Sequence, residues 1–464
     1  MHYGIPMKLH IKNFGCQMNK LDSSLVTSAL VERGFELTDE AGKADVILMN
    51  TCSVRQHAEE RVLSNLGHFK TVCKNNPDVI VGVIGCMAQR MGEELLEHPS
   101  VDLVAGPAQI SRIPEMLDKM VKGKEKSIAV TEKIRRKNTE TETRALDEFE
   151  IAYDNDENHI HGQAFVRALR GCNNFCTYCI VPYVRGPEVS RRPGDIVEQV
   201  KKLRDGGVKQ ITLLGQTIDA YSYTENGRTY NLADLLEMVS GVDGVEWVRF
   251  ITSHPGKFDE SILHVMASNP KITPYLHIPA QSGSDRILEA MNRRYSSGQY
   301  LELIEKARQI VPGISIASDF IVGFPGETDE DFEATAKLVT KARFKNSFVF
   351  KYSPRPGTNS ADKLEDTVPD EVKKQRNIEL LAIQNRISEE ENVRFLGKSV
   401  EVLVEGLSKK PHLNRAENDN NPQLIGRTAG DYIVVFNGPE KLTSRIIPVK
   451  ITKTSALTLF GSLG

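Results

Sequence analysis

Short apolar runs alternate with amphipathic stretches over residues 7–121, a pattern typical of a parallel α/β domain. The apolar runs predict strands at residues 8–14, 45–49 and 79–84. Helices are predicted at residues 22–33, ending before Gly34, and from Ser53, which fits a capping box with Gln56. Because parallel strands end at one edge of their sheet, the residues that follow these three strands are expected to lie together.

A second series of strands and helices begins near residue 161, with strands predicted at residues 164–169, 210–214, 245–251, 273–278, 315–322 and 347–352. Six such units predict a partial parallel (β/α)6 barrel within residues 158–396, with its working face at the C-terminal ends of the strands. Residues 122–157, between the two series, are charged and lack apolar periodicity. They are therefore predicted to form a linker.

A long amphipathic helix is predicted at residues 370–395, and short alternating strands follow at 399–404, 431–436 and 445–450. Residues 397–464 therefore predict a small β-barrel, which completes an overall α/β fold. Such a barrel either binds nucleic acid on an exposed face or acts as a structural cap. Its nine Lys or Arg against six Asp or Glu, in a chain of net charge −3, favour this end as the one that faces RNA.

The composition narrows the class of protein. With 464 residues, of which 40% are hydrophobic, the chain is long enough for several folded domains. Its start has no signal-peptide pattern, and no apolar run reaches membrane-spanning length. A cytoplasmic protein without a membrane partner is expected. Seven cysteines in such a chain predict ligands and reduced thiols rather than disulfides.

Cys172, Cys176 and Cys179 form a C-x3-C-x2-C motif in the loop after the first predicted barrel strand. Three thiolates are one fewer than an ordinary 4Fe-4S cluster takes, so one iron of a cluster bound here would be open to a small ligand. Structural zinc is the alternative, but zinc sites usually pair two C-x2-C knuckles, and no second knuckle follows.

The three strands predicted within residues 7–121 each end close to a cysteine, namely Cys16, Cys52 and Cys86. A single cysteine of this kind is usually a small buried apolar residue. Three at equivalent strand ends instead predict a second 4Fe-4S site with an open iron. Cys73, in the middle of a predicted helix, is expected to be a structural or incidental thiol.

Further polar residues and glycines follow the barrel strands: Gly215, Gln216, Ser253, Gln281, Gly323 and Glu327. They are predicted to contact a ligand at the barrel mouth, where glycines allow a close approach of the backbone. His254 and His277 lie on the same side, but a lone histidine more often satisfies hydrogen bonds than catalyses. The nearby arginines are either solvated surface or an RNA-binding set: Arg185, Arg191, Arg192, Arg293, Arg294 and Arg355.

The cysteine motif, with Tyr178 before its last cysteine, resembles the signature of radical S-adenosylmethionine (SAM) enzymes. The resemblance implies that Cys172, Cys176 and Cys179 hold a 4Fe-4S cluster whose open iron binds SAM. Reduction then cleaves SAM to a 5′-deoxyadenosyl radical. It also implies that Tyr178 and the segment 321–327 lie near the adenine and Gln216 near the methionyl end, although Tyr178 could equally be a packed aromatic.

The combination of N-terminal cysteines, radical SAM barrel and C-terminal barrel resembles the methylthiotransferases over essentially the whole chain, with a TRAM-like C-terminal domain. Residues 14–19, 171–185 and 277–284 resemble the branch that modifies isopentenylated adenosine in tRNA. This implies two 4Fe-4S clusters, the consumption of two SAM molecules and insertion of a 2-methylthio group beside the anticodon. The implied partners are the tRNA anticodon stem-loop, a reductant such as flavodoxin or ferredoxin, and a sulfur source, with a monomeric enzyme.

Two rival functions remain open at this point. Sibling methylthiotransferases act on threonylcarbamoyladenosine in tRNA or on an aspartate of a ribosomal protein. An RNA-binding iron–sulfur protein without turnover is the alternative from another class. Thr217 and Asp219 depart from the asparagines usual in the tRNA branch, which affects only the expected local contacts to SAM.

Overall fold

The structure is a computed structural model, and it describes residues 6–53, 56–76, 78–123, 125–131, 140–153, 162–409 and 421–464. The chain divides into two compact units. The first comprises the described residues of Met1–Asn158, Leu169–Phe175 and Cys179–Arg191, and the second comprises those of His159–Ala168, Cys176–Tyr178 and Arg192–Gly464. Within the described residues, no helix is both long enough and apolar enough to cross a membrane.

The described residues of the first unit form a six-stranded parallel sheet in the order β2-β1-β3-β4-β5-β6. Its strands are β1 (Lys8–Asn13), β2 (Glu36–Leu37), β3 (Val46–Thr51), β4 (Ile80–Gly85), β5 (Leu103–Ala105) and β6 (Ser127–Ala129). Every residue of β3 and β4 is buried, as expected for central strands covered on both faces. Because β1 lies between β2 and β3, the strand order reverses there, which is where open α/β sheets bind ligands.

The same unit contains six α-helices among its described residues: α1 (Gln17–Val31), α2 (Gln56–Asn75), α3 (Cys86–Met91), α4 (Glu93–Leu96), α5 (Ile113–Gly123) and α6 (Glu140–Tyr153), together with a short seventh helix described below. Leu66 and Phe69 of α2 join Val81 and Val83 of β4 in one buried core. The side chain of Cys73 lies outside the described residues, as does that of Gln56 in the expected capping box.

The segment predicted as a linker is partly folded, which corrects that prediction. Strand β6 pairs with β5 at the edge of the sheet, and α6 packs against α1. The sequence did not indicate this role, because acidic residues usually lie in solvent, whereas here an acidic side chain forms ion pairs inside the unit. Glu150 of α6 is fully buried and forms ion pairs with Arg170 and Arg191.

The chain then contributes β7 (Gln163–Arg167) to the second unit, and β8 (Leu169–Arg170), α7 (Val181–Arg185) and β9 (Val189–Ser190) to the first. In the second unit, two three-stranded parallel sheets make up the partial barrel, in the orders β13-β10-β7 and β14-β15-β16. These strands are β10 (Gln210–Leu214), β13 (Trp247–Ile251), β14 (Tyr275–His277), β15 (Ser315–Val322) and β16 (Asn346–Lys351). A parallel bridge between Val248 and Ile272 connects the two halves, so the predicted six-strand arrangement is confirmed.

Helices separate these strands: α8 (Pro193–Asp205), α9 (Leu232–Ser240), α10 (Ser261–Ser268), α11 (Asp285–Ala290), α12 (Ser297–Ile310) and α13 (Asp329–Ala342). Two more helices, α14 (Asn359–Lys363) and α15 (Asp370–Asn392), follow β16. An antiparallel hairpin of β11 (Ser222–Glu225) and β12 (Arg228–Asn231) interrupts the series after β10. The sequence reasoning did not predict this hairpin, although Asn226-Gly227 at its turn is a strong hairpin signal.

The last part of the second unit is a closed barrel in the order β17-β18-β19-β21-β20. Its strands are β17 (Ser399–Leu407), β18 (Gln423–Arg427), β19 (Ile433–Asn437), β20 (Ile446–Thr454) and β21 (Thr458–Ser462). The small C-terminal β-barrel is therefore confirmed, and β18 and β21 are additions to the predicted strands. Closure removes exposed sheet edges and encloses an apolar core that includes Val402, Val434 and Phe436.

Asp431 ties this small barrel to the strands of the larger one inside the second unit. Its carboxylate lies 2.7 Å from Arg249 and 3.0 Å from Lys345, and it also pairs with Arg427. Burial alone would raise the pKa of Asp431, but the three cations lower it far below its usual range. Because the partly buried aspartate is surrounded by cations, its charge is needed for their neutralisation.

Replacing Asp431 with Asn is expected to destabilise the second unit by about 3 kcal/mol, because it leaves buried cations without their carboxylate. Asn suits the left-handed backbone at this position, where φ is 64°, so the change tests the charge alone. Urea unfolding would measure the effect, with the exposed Asp205→Asn as the control. Equal stabilities of the two variants would contradict the role of Asp431.

Candidate functional site

Three cysteines of the first unit follow neighbouring parallel strands at the same sheet edge. Cys16 precedes α1 after β1, Cys52 directly follows β3, and Cys86 begins α3 after β4. Cys52 and Cys86 are each 3% exposed and Cys16 is half-buried. Cys52 and Cys86 both lie close enough to Cys16 to affect the charge of its thiol. The predicted convergence of Cys16, Cys52 and Cys86 is thus seen in the fold.

Two buried asparagines hold this edge together. Asn19 donates to Oδ1 of Asn50 at 2.7 Å, and Asn50 donates back to the carbonyl of Asn19 at 2.8 Å. Asn50 also donates to Oγ of Ser23 at 3.0 Å. The Sγ–H of Cys16 is directed at Oδ1 of Asn19, 3.3 Å away. Sequence reasoning did not assign a role to either asparagine, although both stand within three residues of a cysteine.

The surroundings shift the proton affinities of these thiols in opposite directions. The hydrogen bond with Cys52 lowers the pKa of Cys16 to about 5, against the effect of burial and with help from Arg185. Burial raises the pKa of Cys86, and Arg185 opposes that rise. Arg185 is itself buried and ion-paired with Asp22 at 3.1 Å. A fixed positive charge therefore stands among the thiols.

The donor set of Cys16, Cys52 and Cys86 fits an iron–sulfur cluster. All three thiols are free of disulfides, and thiolates are the ligands that such clusters use. Within the described parts of the chain, no three His, Cys, Asp or Glu side chains are arranged to hold one ion.

The loop after β8 carries Cys172, Cys176 and Cys179, and hydrogen bonds within the first unit hold Cys172. The amide of Cys172 donates to the carbonyl of Gly186 at 3.1 Å, and Asn174 donates to Sγ of Cys172 at 3.4 Å. Gly171 has a φ of 71°, and a Cβ there would lie 2.0 Å from the carbonyl oxygen of Pro187. The loop can adopt this path only with glycine at this position.

Cys176, which belongs to the second unit, is contacted by a buried arginine. Arg293 donates to Sγ of Cys176 at 3.4 Å and to the carbonyl of Pro279 at 3.1 Å. Its guanidinium also donates to the hydroxyl of Tyr295 at 3.0 Å. Hydrogen bonds and charge at a ligand sulfur are the means by which proteins tune a cluster. Arg293 is therefore placed to orient this cysteine.

Two of the predicted ligand residues have buried polar atoms without a protein partner. Oε1 of Gln216, just after β10, and Oγ of Ser253, after β13, have no hydrogen bond within the described part of the chain. Unpaired buried polar atoms are costly, so such atoms often mark the place of a ligand. Both residues lie at the C-terminal ends of barrel strands, where ligands of this fold bind. They fit a polar ligand such as SAM.

The other predicted ligand residues hold the loops in shape. Glu327 accepts from the amide of Gly323 and from Arg376, both at 2.8 Å, and burial raises its pKa. Gln281 has a φ of 69° and bridges to β15 through its backbone. Tyr178 packs in an apolar cluster with Met291 and Phe324. Gly215 follows β10 directly, and an added Cβ there would press on Ile218.

The two histidines are engaged structurally. Nδ1 of His254 accepts from the amide of Gly256 at 3.1 Å, and burial with Arg293 nearby lowers its pKa to about 3. His254 is therefore neutral near pH 7 and is not a proton donor. His277 lies 3.2 Å from the carboxylate of Asp319. Asp219, in the divergent segment near Thr217, accepts from the amide of His254 at 2.9 Å.

The arginines predicted to bind RNA divide into buried and exposed groups, which corrects the prediction. Four are buried at the side chain, namely Arg185, Arg191, Arg293 and Arg355. The first three have protein partners that occupy the guanidinium. Arg192 and Arg294 are exposed, and Arg192 pairs with Glu225 at 2.8 Å. The sequence could not separate these groups, because the buried carboxylates are distant along the chain.

The chain matches three known domain families. Residues 8–106 match the uncharacterized protein family UPF0004, residues 166–339 the radical SAM superfamily, and residues 393–463 the TRAM domain. The first match contains Cys16, Cys52 and Cys86, and the second contains the C-x3-C-x2-C motif.

Two curated relatives that the chain matches over nearly its whole length carry the same name. The chain is 43% identical to the tRNA-2-methylthio-N(6)-dimethylallyladenosine synthase of Rhodopirellula baltica, with 98% of this chain and 95% of that protein covered. It is 40% identical to the protein of the same name from Bacillus subtilis, with 98% and 86% covered.

Among solved structures, the radical SAM methyltransferase TsrM from Kitasatospora setae, solved with tryptophan and a SAM analogue, has a similar fold. The TM-score is 0.55 at 13% sequence identity, and 76% of this chain and 75% of that chain are covered. This likeness supports the radical SAM fold alone.

Replacing Gly171 with Ala is expected to displace the cysteine loop, because the new Cβ collides with backbone. We expect a loss of about 3 kcal/mol in unfolding free energy, from the left-handed backbone and the collision together. The amount of iron bound at this cysteine loop should also decrease. Gly207→Ala is the matched control, since φ is 93° there but no atom lies within 4 Å. If both variants kept full iron and equal stability, the steric requirement would be refuted.

Proposed function

Because the chain belongs to the tRNA-2-methylthio-N(6)-dimethylallyladenosine synthase family, we propose that it inserts a methylthio group at carbon 2 of N6-isopentenyladenosine beside the tRNA anticodon. It is a radical SAM methylthiotransferase that uses two 4Fe-4S clusters and SAM. The observation that carries the proposal is the presence of two separate cysteine sets, of which the N-terminal one follows three neighbouring strands.

The chemistry of the substrate explains the need for both sets. An aromatic C–H at carbon 2 is too weakly acidic for a side-chain base to remove its proton. When bound, the cluster of the barrel loop supplies the electron for SAM cleavage, and the N-terminal cluster supplies an open iron for sulfur. The protein contributes binding, orientation and exclusion of water.

Named residues take these tasks. Cys172, Cys176 and Cys179 hold the radical-forming cluster, and Cys16, Cys52 and Cys86 hold the other. Gln216 and Ser253 bind polar groups of SAM, in keeping with their unpaired buried atoms. Gly215, Gly323 and Gln281 shape the backbone around SAM, with Glu327 bracing the Gly323 loop and Tyr178 lining the apolar side.

The tRNA contacts come from exposed cations. Arg192 and Arg294 are exposed in the barrel domain, and Lys398, Lys450 and Lys453 are exposed on the TRAM domain. Exposed lysines suit the phosphate backbone, which gives affinity without sequence specificity. The TRAM domain, proposed at residues 397–464, thus anchors the tRNA, while the barrel domain at 158–396 meets the adenosine.

The remaining assignments follow from the reaction. Reduction of the radical-forming cluster needs a one-electron donor such as flavodoxin or ferredoxin, and the inserted sulfur needs a separate sulfur source. We propose that the enzyme acts in the cytoplasm, where tRNA is modified, and acts as a monomer. Residues 7–121 form its N-terminal methylthiotransferase domain, and the segment from 122 completes the sheet with β6 and α6.

The function is tested by mass spectrometry of tRNA nucleosides from cells that lack the gene and are complemented with variants. Wild type should restore 2-methylthio-N6-isopentenyladenosine. Alanine at Cys16, Cys52 and Cys86 should abolish the product and halve the iron of the purified protein, but spare SAM cleavage to 5′-deoxyadenosine. Alanine at Cys172, Cys176 and Cys179 should abolish both activities.

Other outcomes of the same experiment identify the rivals. A change confined to threonylcarbamoyladenosine would indicate the sibling tRNA enzyme, and unchanged tRNA would favour a protein substrate. Failure of the reduced protein to form 5′-deoxyadenosine would indicate an iron–sulfur protein without turnover. An unchanged iron content after replacement of the N-terminal cysteines would contradict the presence of a second cluster.

Charge reversal at Lys398, Lys450 and Lys453 is expected to weaken tRNA binding and flatten its salt dependence. Each lost phosphate contact lowers the slope of log K against log salt by about 0.7–0.9. Point changes are preferable to deletion of residues 397–464, which would remove Asp431 from buried Arg249 and Lys345. Glu substitution at Lys201, on α8 far along the chain, is the control; an equal loss there would count against the TRAM surface.

A further inference from the structure

Arg185 ends α7, shortly after the cysteine motif, but its guanidinium lies among the N-terminal cysteines of the first unit. Its side chain is 6% exposed, and Nη2 donates to Oδ2 of the fully buried Asp22 at 3.1 Å. Cys86 packs with Val184, the residue before Arg185, and lies close enough to feel the charge of the guanidinium. Arg185, which the sequence predicted to bind RNA, therefore lies at the N-terminal cysteine site instead.

Packing fixes the direction of this guanidinium. Ile180 and Val184 are buried in one apolar cluster with Cys86, and Tyr183 packs against it. The helix α7 thereby contacts α3, which begins at Cys86. Because its helix is anchored by apolar neighbours, Arg185 cannot turn to solvent without unpacking Val184.

The charges of the site require a cation. A 4Fe-4S core bound by three thiolates is negative in its oxidised form and gains a further negative charge on reduction. Asp22 adds a buried carboxylate close by. Net charge and hydrogen bonds to sulfur are among the factors that set a cluster's reduction potential.

We propose that Arg185 is a positioning residue for the N-terminal cluster: anchored by Asp22 and held near Cys86 by the packing of its helix, its guanidinium balances the cluster's negative charge and raises its reduction potential. The inference rests on the proposed function only in that Cys16, Cys52 and Cys86 hold a cluster. It ties this cluster to the helix that directly follows the radical SAM motif.

The test uses the full chain with alanine at Cys172, Cys176 and Cys179, so that the remaining iron belongs to the N-terminal site. Iron content and the midpoint potential, followed by electron paramagnetic resonance, are measured for Arg185→Gln, Arg185→Lys and Asp22→Asn. Arg185→Gln should lower the ratio of reduced to oxidised cluster about tenfold at fixed potential, a shift of about 59 mV to more negative values. Arg185→Lys should recover most of the shift, because it keeps the charge.

Asp22→Asn should shift the midpoint in the opposite direction, because it removes a negative charge. Loss of a merely structural ion pair would move both variants alike, so opposite signs separate the two explanations. Arg191→Gln is the matched control: it breaks a buried ion pair with Glu150 and should lower stability while leaving the midpoint unchanged.

An unchanged midpoint in Arg185→Gln, or shifts of the same sign in Arg185→Gln and Asp22→Asn, would overturn the proposal. If Arg185→Gln does not fold, Asp22→Asn decides: a more positive midpoint supports the charge role and an unchanged one refutes it. A parent protein without iron would instead contradict the second cluster, and hence the proposed function. The two failures are thereby distinguishable.

Discussion

A buried thiolate is stable only where positive charge or hydrogen bonds compensate for lost water, and this constraint governs both cysteine sets. In the first unit, Arg185 supplies the charge, and the backbone amides of Met18 and Asn19 donate to Cys16. In the second unit, Arg293 donates to Cys176. The arginines nearest the cysteines are therefore occupied by thiols and carboxylates, and exposed side chains are the better candidates for an RNA surface.

The parallel sheet makes this compensation possible. Strands β1, β3 and β4 end at one edge of the sheet, so the cysteines that follow them lie close together without long loops. The asparagine pair Asn19–Asn50 then joins the start of α1 to β3 through buried hydrogen bonds. Backbone geometry thus sets which cysteines meet, and side chains set their charge.

Much of this organisation was predictable from local signals. The C-x3-C-x2-C motif, the strands before Cys16, Cys52 and Cys86, and the βα series of the barrel are periodic or closely spaced features. Such features depend on residues near one another in the chain, which sequence patterns report well. The linker prediction was wrong because the role of this segment depends on partners outside it in the chain. In the sequence, Glu150 has the pattern of a solvent-exposed charge, but in the fold it is buried and paired with Arg170 and Arg191.

The sequence by itself determined the cysteine spacing, the parallel α/β and small β-barrel architecture, and hence the class of chemistry. Only the tertiary structure decided that Arg185 and Arg293 face thiols, that Glu327 braces Gly323, and that Gln216 and Ser253 keep unpaired polar atoms. The physical reason is that a charged side chain has the same sequence signature in water and in an ion pair. Its role is set by partners that folding brings from distant parts of the chain.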